Sequence, residues 1–377
     1  MIDAETVVAA RTMKIGCPRD ELIQKLGIVA RGVSARTAVQ ILGGILLRAE
    51  AGRLELAATD MELSLRASLE ARVDGDGAVV VPGRLLVDLA RLLSDSEVTI
   101  EHRAEEGVVE ITAGSANYRL HTYNAEDFPR LPETEGVERH TIDREALLET
   151  IARVSRSASR DESRPVLTGI LVRFEPGKLV MAATDSYRLS VKETPIEGSV
   201  PELEAIVPAR ALGELARIGQ AAARVELGVY ENQVVFGFDG TWLTTRRIDG
   251  QFPNYRQLVP ETFEHEVRIP RDELLDVVRR VSVMAQRNSP LRLRFDEGEL
   301  TVSARTQDVG EAREVLPISF AGEPLEIGFN ADFLRDGIES VSADEVRLKL
   351  ISPLRPGLIQ GESDDFWYLI MPIRLAG

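Results

Sequence analysis

Two aspartates in repeated surroundings are the first candidates for chemistry. Asp60 and Asp185 each follow Ala-Ala-Thr, in LELAATDMELSL (54–65) and LVMAATDSYRLSV (179–191). A pair of such carboxylates could bind a divalent metal, as in a metal-dependent nuclease. A Thr-Asp pair, however, more often caps a turn, and these two copies occupy equivalent positions in different parts of the chain. We therefore interpret both as turn residues and keep a metal-dependent nuclease as the remote alternative.

Other reactive side chains are isolated in the sequence. Cys17 is the only cysteine, and His102, His121, His140 and His265 lack the spacing of zinc ligands. A thiol nucleophile needs a histidine partner, and the sequence offers no obvious one. The nearest approach to a phosphate-binding loop, EPGKL, lacks the leading glycine and the hydroxyl residue. These features predict a protein that is not an enzyme and has no metal or cofactor.

Composition and length describe a globular protein of two or three domains, with 377 residues, of which 44% are hydrophobic and 28% charged. No apolar stretch approaches the ~20 residues needed to cross a bilayer, so no membrane partner is expected. The N-terminal stretch carries acids and has no continuous apolar core, which is not typical of a signal peptide. A single cysteine agrees with a reducing compartment, so we expect a cytoplasmic protein.

The elements around the repeated corner recur three times. Similar helical sequences, RDELIQKLGIVARG, REALLETIARVSRS and RDELLDVVRRVSVM, begin at Arg19, Arg144 and Arg271. Each places apolar residues at i, i+1, i+4 and i+7, the stripe of an amphipathic helix. A second helix is predicted within 81–92, 207–218 and 328–341, and alternating runs between the helices predict antiparallel strands. The sequence thus predicts an α+β fold of three repeats, each with two helices packed on antiparallel sheets, bounded at 1–139, 140–265 and 266–377.

The distribution of charge matters more than its total. A net charge of −16 disfavours nucleic acid. The first helix and following loop of each repeat (19–36, 144–164 and 271–292) carry 14 cations and 9 acids, a net charge of +5, so the remainder of the chain carries −21. Three equivalent basic helices predict sequence-independent, salt-sensitive binding to a phosphate backbone, although solvated helix faces are also often rich in arginine.

Six segments in order resemble one known family. They are ARTAVQILGGILL, ESRPVLTGILV, AATDSYRLSV, DGQFPNYRQLVPE, IGFNADFL and the terminal YLIMPIRL. This order is similar to that of the bacterial β sliding clamps, the processivity factors of DNA polymerase III, and the resemblance extends from about Met13 to Leu375. It implies that each protomer consists of three DNA-clamp domains and forms half of a closed ring. Two protomers would join head to tail around duplex DNA.

The resemblance also implies a peptide-binding pocket between the second and third domains, one per protomer. Its residues would be Leu167, Thr184, Ser186, Tyr187, Arg188, Leu189, Pro253, Leu258, Phe333, Leu354, Leu369, Ile370, Met371, Pro372, Ile373 and Arg374. Apolar residues near a chain end are usually docked or form a dock. The implied partners are the replicative DNA polymerase, an ATP-driven clamp loader and other DNA replication and repair proteins that carry a clamp-binding peptide. Gln257 departs from the family, in which many members have a basic residue at this position.

Two further sets of residues complete the prediction. For DNA binding, the best candidates are Arg36, Arg160, Arg164 and Arg287, although Asp161 and Glu162 weaken the claim of the middle loop. For the dimer interface, the resemblance implies Tyr118 and Leu120 on an edge strand of the first repeat, and Val283 and Met284 on the first helix of the third. The main alternative is a peptide-binding scaffold that never encircles DNA. Such a protein would share the pocket but would not need the basic helices.

Overall fold

A computed structural model of the chain describes residues 13–34, 38–132, 139–196, 203–230, 232–285, 289–307 and 310–375. Within these ranges the helices are α1 (Arg19–Val29), α2 (Gly83–Leu92), α3 (Arg144–Val154), α4 (Pro165–Thr168), α5 (Ala209–Ile218), α6 (Arg271–Ser282) and α7 (Ala331–Glu339). All six helices predicted from the repeats are present, and α4 is a single additional turn.

Antiparallel strands account for most of the remaining chain. They are β1 (Lys14–Pro18), β2 (Gly44–Glu50), β3 (Arg53–Thr59), β4 (Leu63–Glu70), β5 (Arg72–Gly75), β6 (Gly77–Pro82), β7 (Glu97–Arg103), β8 (Val108–Ala113), β9 (Ala116–His121), β10 (Arg139–Asp143), β11 (Gly169–Glu175), β12 (Lys178–Thr184), β13 (Arg188–Pro195), β14 (Leu203–Pro208), β15 (Arg224–Tyr230), β16 (Gln233–Phe238), β17 (Thr241–Arg246), β18 (His265–Pro270), β19 (Leu291–Asp296), β20 (Glu299–Thr306), β21 (Gly310–Pro317), β22 (Leu325–Phe329), β23 (Glu345–Leu350), β24 (Gly357–Gln360) and β25 (Phe366–Ile370).

Several helices begin directly after a strand that ends in proline. Pro18, Pro82 and Pro270 have φ angles of −63°, −56° and −54° and precede α1, α2 and α6. Proline lacks an N–H and fixes φ, so it favours the end of the strand and removes one of the N–H groups that would lack an intrahelical partner at the start of the helix. Acidic residues in the first turns of α1 and α6 then stabilise the positive end of each helix dipole.

The chain divides into two compact units, although its sequence repeats three times. The first compact unit contains residues 1–144 and 217–246, and the second contains 145–216 and 247–377. The first holds a five-stranded sheet (β5-β1-β7-β8-β9) and an eight-stranded sheet (β10-β15-β16-β17-β4-β3-β2-β6). The second holds an eight-stranded sheet (β14-β11-β12-β13-β25-β24-β23-β18) and a four-stranded sheet (β21-β20-β19-β22). Both eight-stranded sheets therefore combine strands from two successive repeats.

Each apolar helix stripe packs into a core, as its period predicts. In the first compact unit, Leu22, Leu26 and Val29 of α1 are buried with strand residues of both sheets. In the second, the stripe of α6 is buried in a core that includes Phe295 and Phe329. Among the described residues, no helix is both long enough and apolar enough to cross a membrane.

Candidate functional site

The repeated corner is a hydrogen-bonded turn, and its second copy joins β12 to β13. The Thr184 hydroxyl donates to the Arg188 carbonyl oxygen at 2.7 Å and accepts from the Ser186 N–H at 3.1 Å. One Asp185 carboxylate oxygen accepts the N–H groups of Tyr187 and Arg188 at 2.9 and 3.0 Å. The φ angle of Ser186 is 80°, in the left-handed region, and these side-chain bonds stabilise it there.

The first copy, between β3 and β4, has the same geometry. Thr59 Oγ1 accepts the Met61 N–H at 3.0 Å, and Asp60 Oδ1 accepts the N–H groups of Glu62 and Leu63 at 3.1 and 2.8 Å. Met61 has a φ of 78°. The prediction that Thr-Asp caps a turn is therefore confirmed in both copies. Both carboxylates accept N–H groups of their own turns. The described residues hold no group of three or more His, Cys, Asp and Glu suited to a metal.

Pairing of β13 with β25 brings the chain's last strand beside the second corner. Arg188 pairs with Ile370 and Leu189 with Leu369 across the two strands. The Met371 N–H then donates to the Tyr187 carbonyl at 2.9 Å. Further along, the Ile373 N–H donates to the carbonyl of Gly328 in β22 at 2.8 Å. The terminal segment is therefore docked on its own compact unit.

Arg188 contacts two carboxylates and the ring of Phe333. Its Nε donates to Asp185 at 3.1 Å, its Nη1 donates to Asp336 at 2.5 Å, and its guanidinium carbon lies 4.2 Å from the centre of the Phe333 ring. Burial disfavours the charged guanidinium, but the Tyr368 phenol and Asp336 outweigh burial and hold the pKa of Arg188 above its ordinary value. Arg188 is therefore a fixed, permanently charged part of the second corner.

Exposed apolar side chains gather on the predicted pocket residues. The described part of the second compact unit exposes six large hydrophobic side chains, and four of them were predicted as pocket residues. Those four are Tyr187 (62% exposed), Leu258 (50%), Leu354 (64%) and Met371 (43%). Leu354 lies just before β24, whose first residue, Gly357, pairs with Ile370. Large apolar side chains exposed on neighbouring segments are typical of a binding surface.

Other members of the predicted set support the surface from below. Leu167, Thr184, Leu189, Leu369 and Ile370 are buried. Ser186, Pro253 and Arg374 are exposed, whereas Phe333, Pro372 and Ile373 are partly buried. A side chain buried in the core cannot offer its full surface to a ligand, so the accessible part of the set is smaller than the predicted list.

Two residues that shape this surface were not predicted. Tyr255 is 4% exposed and packs in one cluster with Leu189, Leu358 and Leu369, which fixes the segment that carries Leu258. Asp336 on α7 is the second carboxylate on Arg188. An aromatic residue within FPNYRQL was a signal for the first, but no local pattern marks the second.

Several cations of the predicted basic helices are paired within the chain. Arg156 and Arg279 both form ion pairs with Glu339, the second at 2.8 Å. Arg280 forms an ion pair with Glu314 at 2.7 Å. The charge counted from the sequence therefore overstates the positive charge that these helices present to a ligand.

The predicted DNA-binding loops are described only in part. Arg36 and Arg287 lie outside the described residues. Arg160 is exposed, and within the described ranges no carboxylate lies at ion-pair distance from it. Arg164 donates from Nε to Asp161 Oδ2 and from Nη1 to Ser186 Oγ, both at 3.0 Å. Asp161 therefore neutralises much of the charge of Arg164, as the sequence suggested.

The predicted dimer residues differ in accessibility. Tyr118 is 37% exposed on β9, which is an edge strand of its sheet, as predicted. Leu120, on the same strand, is 8% exposed and packs into the core of its own compact unit, so its availability for an interface was overestimated. Val283 is 76% exposed, and Met284 is partly buried. Placing these two residues on the first helix of the third repeat was wrong, because α6 ends at Ser282.

Comparison with known proteins gives a consistent result along the chain. Family models of the DNA polymerase III beta subunit match residues 13–132 (N-terminal domain), 141–254 (central domain) and 256–374 (C-terminal domain). The beta sliding clamp of Synechococcus elongatus is 35% identical over 382 residues, covering 96% of this chain and 100% of that protein.

Solved structures agree with the family models. A crystal structure of the DNA polymerase sliding clamp from Bacillus subtilis matches with a TM-score of 0.92 and 25% identity, covering 97% of this chain and 100% of that chain. A sliding clamp from Pseudomonas aeruginosa bound to griselimycin matches with a TM-score of 0.90 and 27% identity, over 97% and 100% of the two chains.

Three consecutive α+β clamp domains define the chain as a protein of the DNA-clamp class. It belongs to the DNA polymerase III beta subunit family, the bacterial beta sliding clamps. It is thus a sliding clamp, which is a kind of processivity factor.

Proposed function

We propose that two copies of the chain join head to tail in a closed ring around duplex DNA. The ring tethers the replicative DNA polymerase, and other replication and repair proteins, through a clamp-binding peptide. One observation supports this proposal above the others: the Met371 N–H bond to the Tyr187 carbonyl seats the terminal segment beside the second corner, where four large apolar side chains are exposed. Such a surface suits a peptide with one or two apolar anchors, each contributing about 1.5–3 kcal/mol.

In this proposal the DNA is held by charge alone. Arg36, Arg160, Arg164 and Arg287 contact phosphates without reading the base sequence. The protein catalyses no reaction and needs no cofactor, and a separate ATP-driven loader opens the ring in the cytoplasm. The joint forms between the β9 edge with Tyr118 and the residues after α6, Val283 and Met284. The three domains are bounded at 1–139, 140–265 and 266–377.

A topological experiment tests the ring. The protein is loaded onto nicked circular DNA by a clamp loader, free protein is removed, the salt concentration is raised, and the circle is then cut. We expect retention through high salt, because a closed ring is linked to the circle, and loss after cutting. Release by salt alone, with a known clamp loaded in parallel as a control, would contradict encirclement.

Two substitutions test the pocket. Tyr187→Ala and Leu354→Ala each remove an exposed apolar side chain, so we expect partner-peptide affinity to fall about tenfold, mainly through a faster off-rate, with unchanged thermal stability. Val315→Ala, at another exposed apolar position (48%), is the matched control and should bind normally. Equal binding by all three variants would place the peptide elsewhere.

A peptide-binding scaffold that does not encircle DNA is the second candidate. The ion pairs of Arg156, Arg279 and Arg280 favour it, because paired cations attract phosphate less strongly. Replacing Arg36, Arg160 and Arg287 together with alanine separates the two candidates. A clamp with this change binds DNA more weakly at low salt and with a smaller salt dependence, although a ring already closed on a circle stays linked, whereas a scaffold binds its partners as before and has no DNA affinity to lose.

A further inference from the structure

The first compact unit has a cleft of its own at the first copy of the corner. Its volume is about 210 Å³, and it is formed by the corner, the segment 129–132 and the end of β17 with the adjoining Gln233. β17 pairs with β4 (Thr245 with Leu63), and the Arg246 N–H donates to the Glu62 carbonyl at 3.2 Å. The Met371 N–H makes the same bond to Tyr187 at the second corner. The cleft at the first corner therefore occupies the position equivalent to that of the proposed pocket at the second corner.

The wall opposite the sheet is fixed in place. Phe128, which precedes the 129–132 segment, is 7% exposed and packs with Leu46 and Val80. Arg66 Nη2 donates to the Pro132 carbonyl at 2.7 Å, which attaches the other end of the segment to β4. A wall held at both ends gives a cleft that is formed before any ligand arrives, which lowers the cost of binding.

The cleft also contains an unsatisfied acceptor. The side-chain oxygen of Gln233 is buried and has no hydrogen-bond partner among the described residues. A buried polar atom without a partner is costly, and a ligand that brings an N–H group would remove that cost. The backbone of an extended peptide supplies such N–H groups at regular intervals.

Charge and apolar surface at the rim define the rest of the ligand. Arg130 and Arg246 are exposed, and neither has an ion-pair partner within the described residues. Glu62 is the opposing charge in the lining, so the net charge of the rim is positive. Met61 is 58% exposed beside them. A carboxylate next to an apolar side chain matches this combination.

We propose that this cleft is a second peptide site, which binds a short extended segment carrying an Asp or Glu beside an apolar residue. The carboxylate binds Arg130 and Arg246, a backbone N–H donates to Gln233, and the apolar side chain contacts Met61. A volume of about 210 Å³ holds one or two side chains, so the site recognises an acidic dipeptide unit within a partner protein. This site is separate from the proposed pocket at Met371, and either can exist without the other.

Methionine methyl groups provide a direct test, because Met61 reports on this cleft and Met371 on the proposed pocket. The full protein is labelled with ¹³C at its methionine methyl groups and titrated with acetyl-Leu-Asp-Leu-amide and, separately, with acetyl-Leu-Asn-Leu-amide. Met61→Leu assigns the signal. We expect the aspartate peptide to shift the Met61 signal with saturation, and the neutral peptide to bind about tenfold more weakly, because charge-assisted bonds are the stronger ones.

Variants locate the binding. Arg130→Gln combined with Arg246→Gln should abolish the Met61 shift, whereas Arg84→Gln combined with Arg91→Gln, two exposed arginines of α2, should not. Gln233→Met should weaken binding while leaving the melting temperature unchanged or raised, which a merely disruptive change would not do. Four outcomes would overturn the proposal. They are an unmoved Met61 signal, equal Met61 shifts with the two peptides, an equal Met61 shift with inorganic phosphate, and a shift at Met371 alone. The last of these outcomes would still support the pocket at Met371.

Discussion

A guanidinium nitrogen of Arg188 lies 2.5 Å from the Asp336 carboxylate, although 148 residues separate the two in sequence. This bond joins the second corner to α7, which belongs to the third repeat. Asp336 also lies 3.5 Å from Arg156 on the segment that follows α3. Glu339, one turn along α7, binds Arg156 and Arg279. One helix face thus supplies carboxylates both to the proposed peptide pocket and to the basic helices.

Asp336→Asn tests whether this bond positions the pocket. The side chain of Arg188 is only 10% exposed, so loss of the charge on Asp336 leaves a buried cation with one carboxylate fewer. We expect the free energy of unfolding to fall by about 1–3 kcal/mol and partner-peptide affinity to fall severalfold. Denaturant titration and peptide binding measure the two effects. Asp332→Asn is the control, because Asp332 pairs with Arg335 in an exposed position. A variant that binds peptide normally would separate Asp336 from the pocket.

Gly328→Ala tests the docking of the terminal segment. A Cβ atom at Gly328 would lie 2.9 Å from the Ile373 carbonyl oxygen and 2.6 Å from Leu375 Cδ2. Because that oxygen belongs to the backbone, we expect the terminal segment to be displaced and peptide binding to be lost, with a small decrease in melting temperature. Gly213→Ala is the control, because a Cβ atom there meets no atom within 4 Å. Gly298 is unsuitable as a control because its φ is positive. Normal peptide affinity in Gly328→Ala would show that the docked segment is not part of the site.

The sequence predicted regular elements well because their signals are local. The stripes of α1, α3 and α6 and the Thr-Asp corners depend on neighbours within seven residues, and all of them are present. Ion pairing depends on residues far apart in the chain, such as Arg156 with Glu339, and no local pattern reveals it. Burial along a strand is similar. Tyr118 and Leu120 are two residues apart on β9 and therefore point to the same face of the sheet, yet only Leu120 packs into the core, and the extent of the core along the strand is set by residues distant in sequence.

Acid should weaken the ion pairs that Glu339 of α7 forms with Arg156 and Arg279. Burial alone would raise its pKa, but hydrogen bonds from Arg156 and Arg279 outweigh burial and hold the pKa below the ordinary value of 4.5. A depressed folded-state pKa contributes stability above the unfolded-state pKa, and that stability is lost as the pH falls through the folded-state value. We expect Glu339→Gln to be less stable than the parent at pH 7, and the difference to shrink steadily below about pH 4.5.

Unfolding free energies at a series of pH values measure that difference. Glu323→Gln is the matched control, because Glu323 is exposed and forms no ion pair with the described residues. A pH-independent difference between Glu339→Gln and the parent would show that the charge of Glu339 is not what stabilises the fold.

Cys17 should report on unfolding. It is 1% exposed within β1, and burial, with smaller contributions from Glu97 and Glu21, raises the pKa of its thiol to about 12. Since the thiolate is the reactive form, we expect almost no labelling by iodoacetamide at pH 8 in the native protein and rapid labelling in guanidinium chloride. Mass spectrometry counts the single adduct. Full labelling within minutes under native conditions would show that β1 opens readily.

Asp161→Asn tests how much charge the middle loop can offer to DNA. Asp161 accepts hydrogen bonds from Ser163 and Arg164, and these hold the pKa of its carboxyl below the ordinary value, so it stays ionised opposite Arg164 at neutral pH. Loss of that charge frees Arg164 for a phosphate. We expect tighter DNA binding at low salt and a salt dependence steeper by about one counterion. Arg164→Ala in the same background should cancel the gain, whereas Arg173→Ala, whose side chain pairs with Glu204 on another strand, should not. Unchanged DNA affinity and an unchanged salt slope in Asp161→Asn would show that Arg164 makes no phosphate contact. Arg160 would then remain as the candidate phosphate contact of that loop.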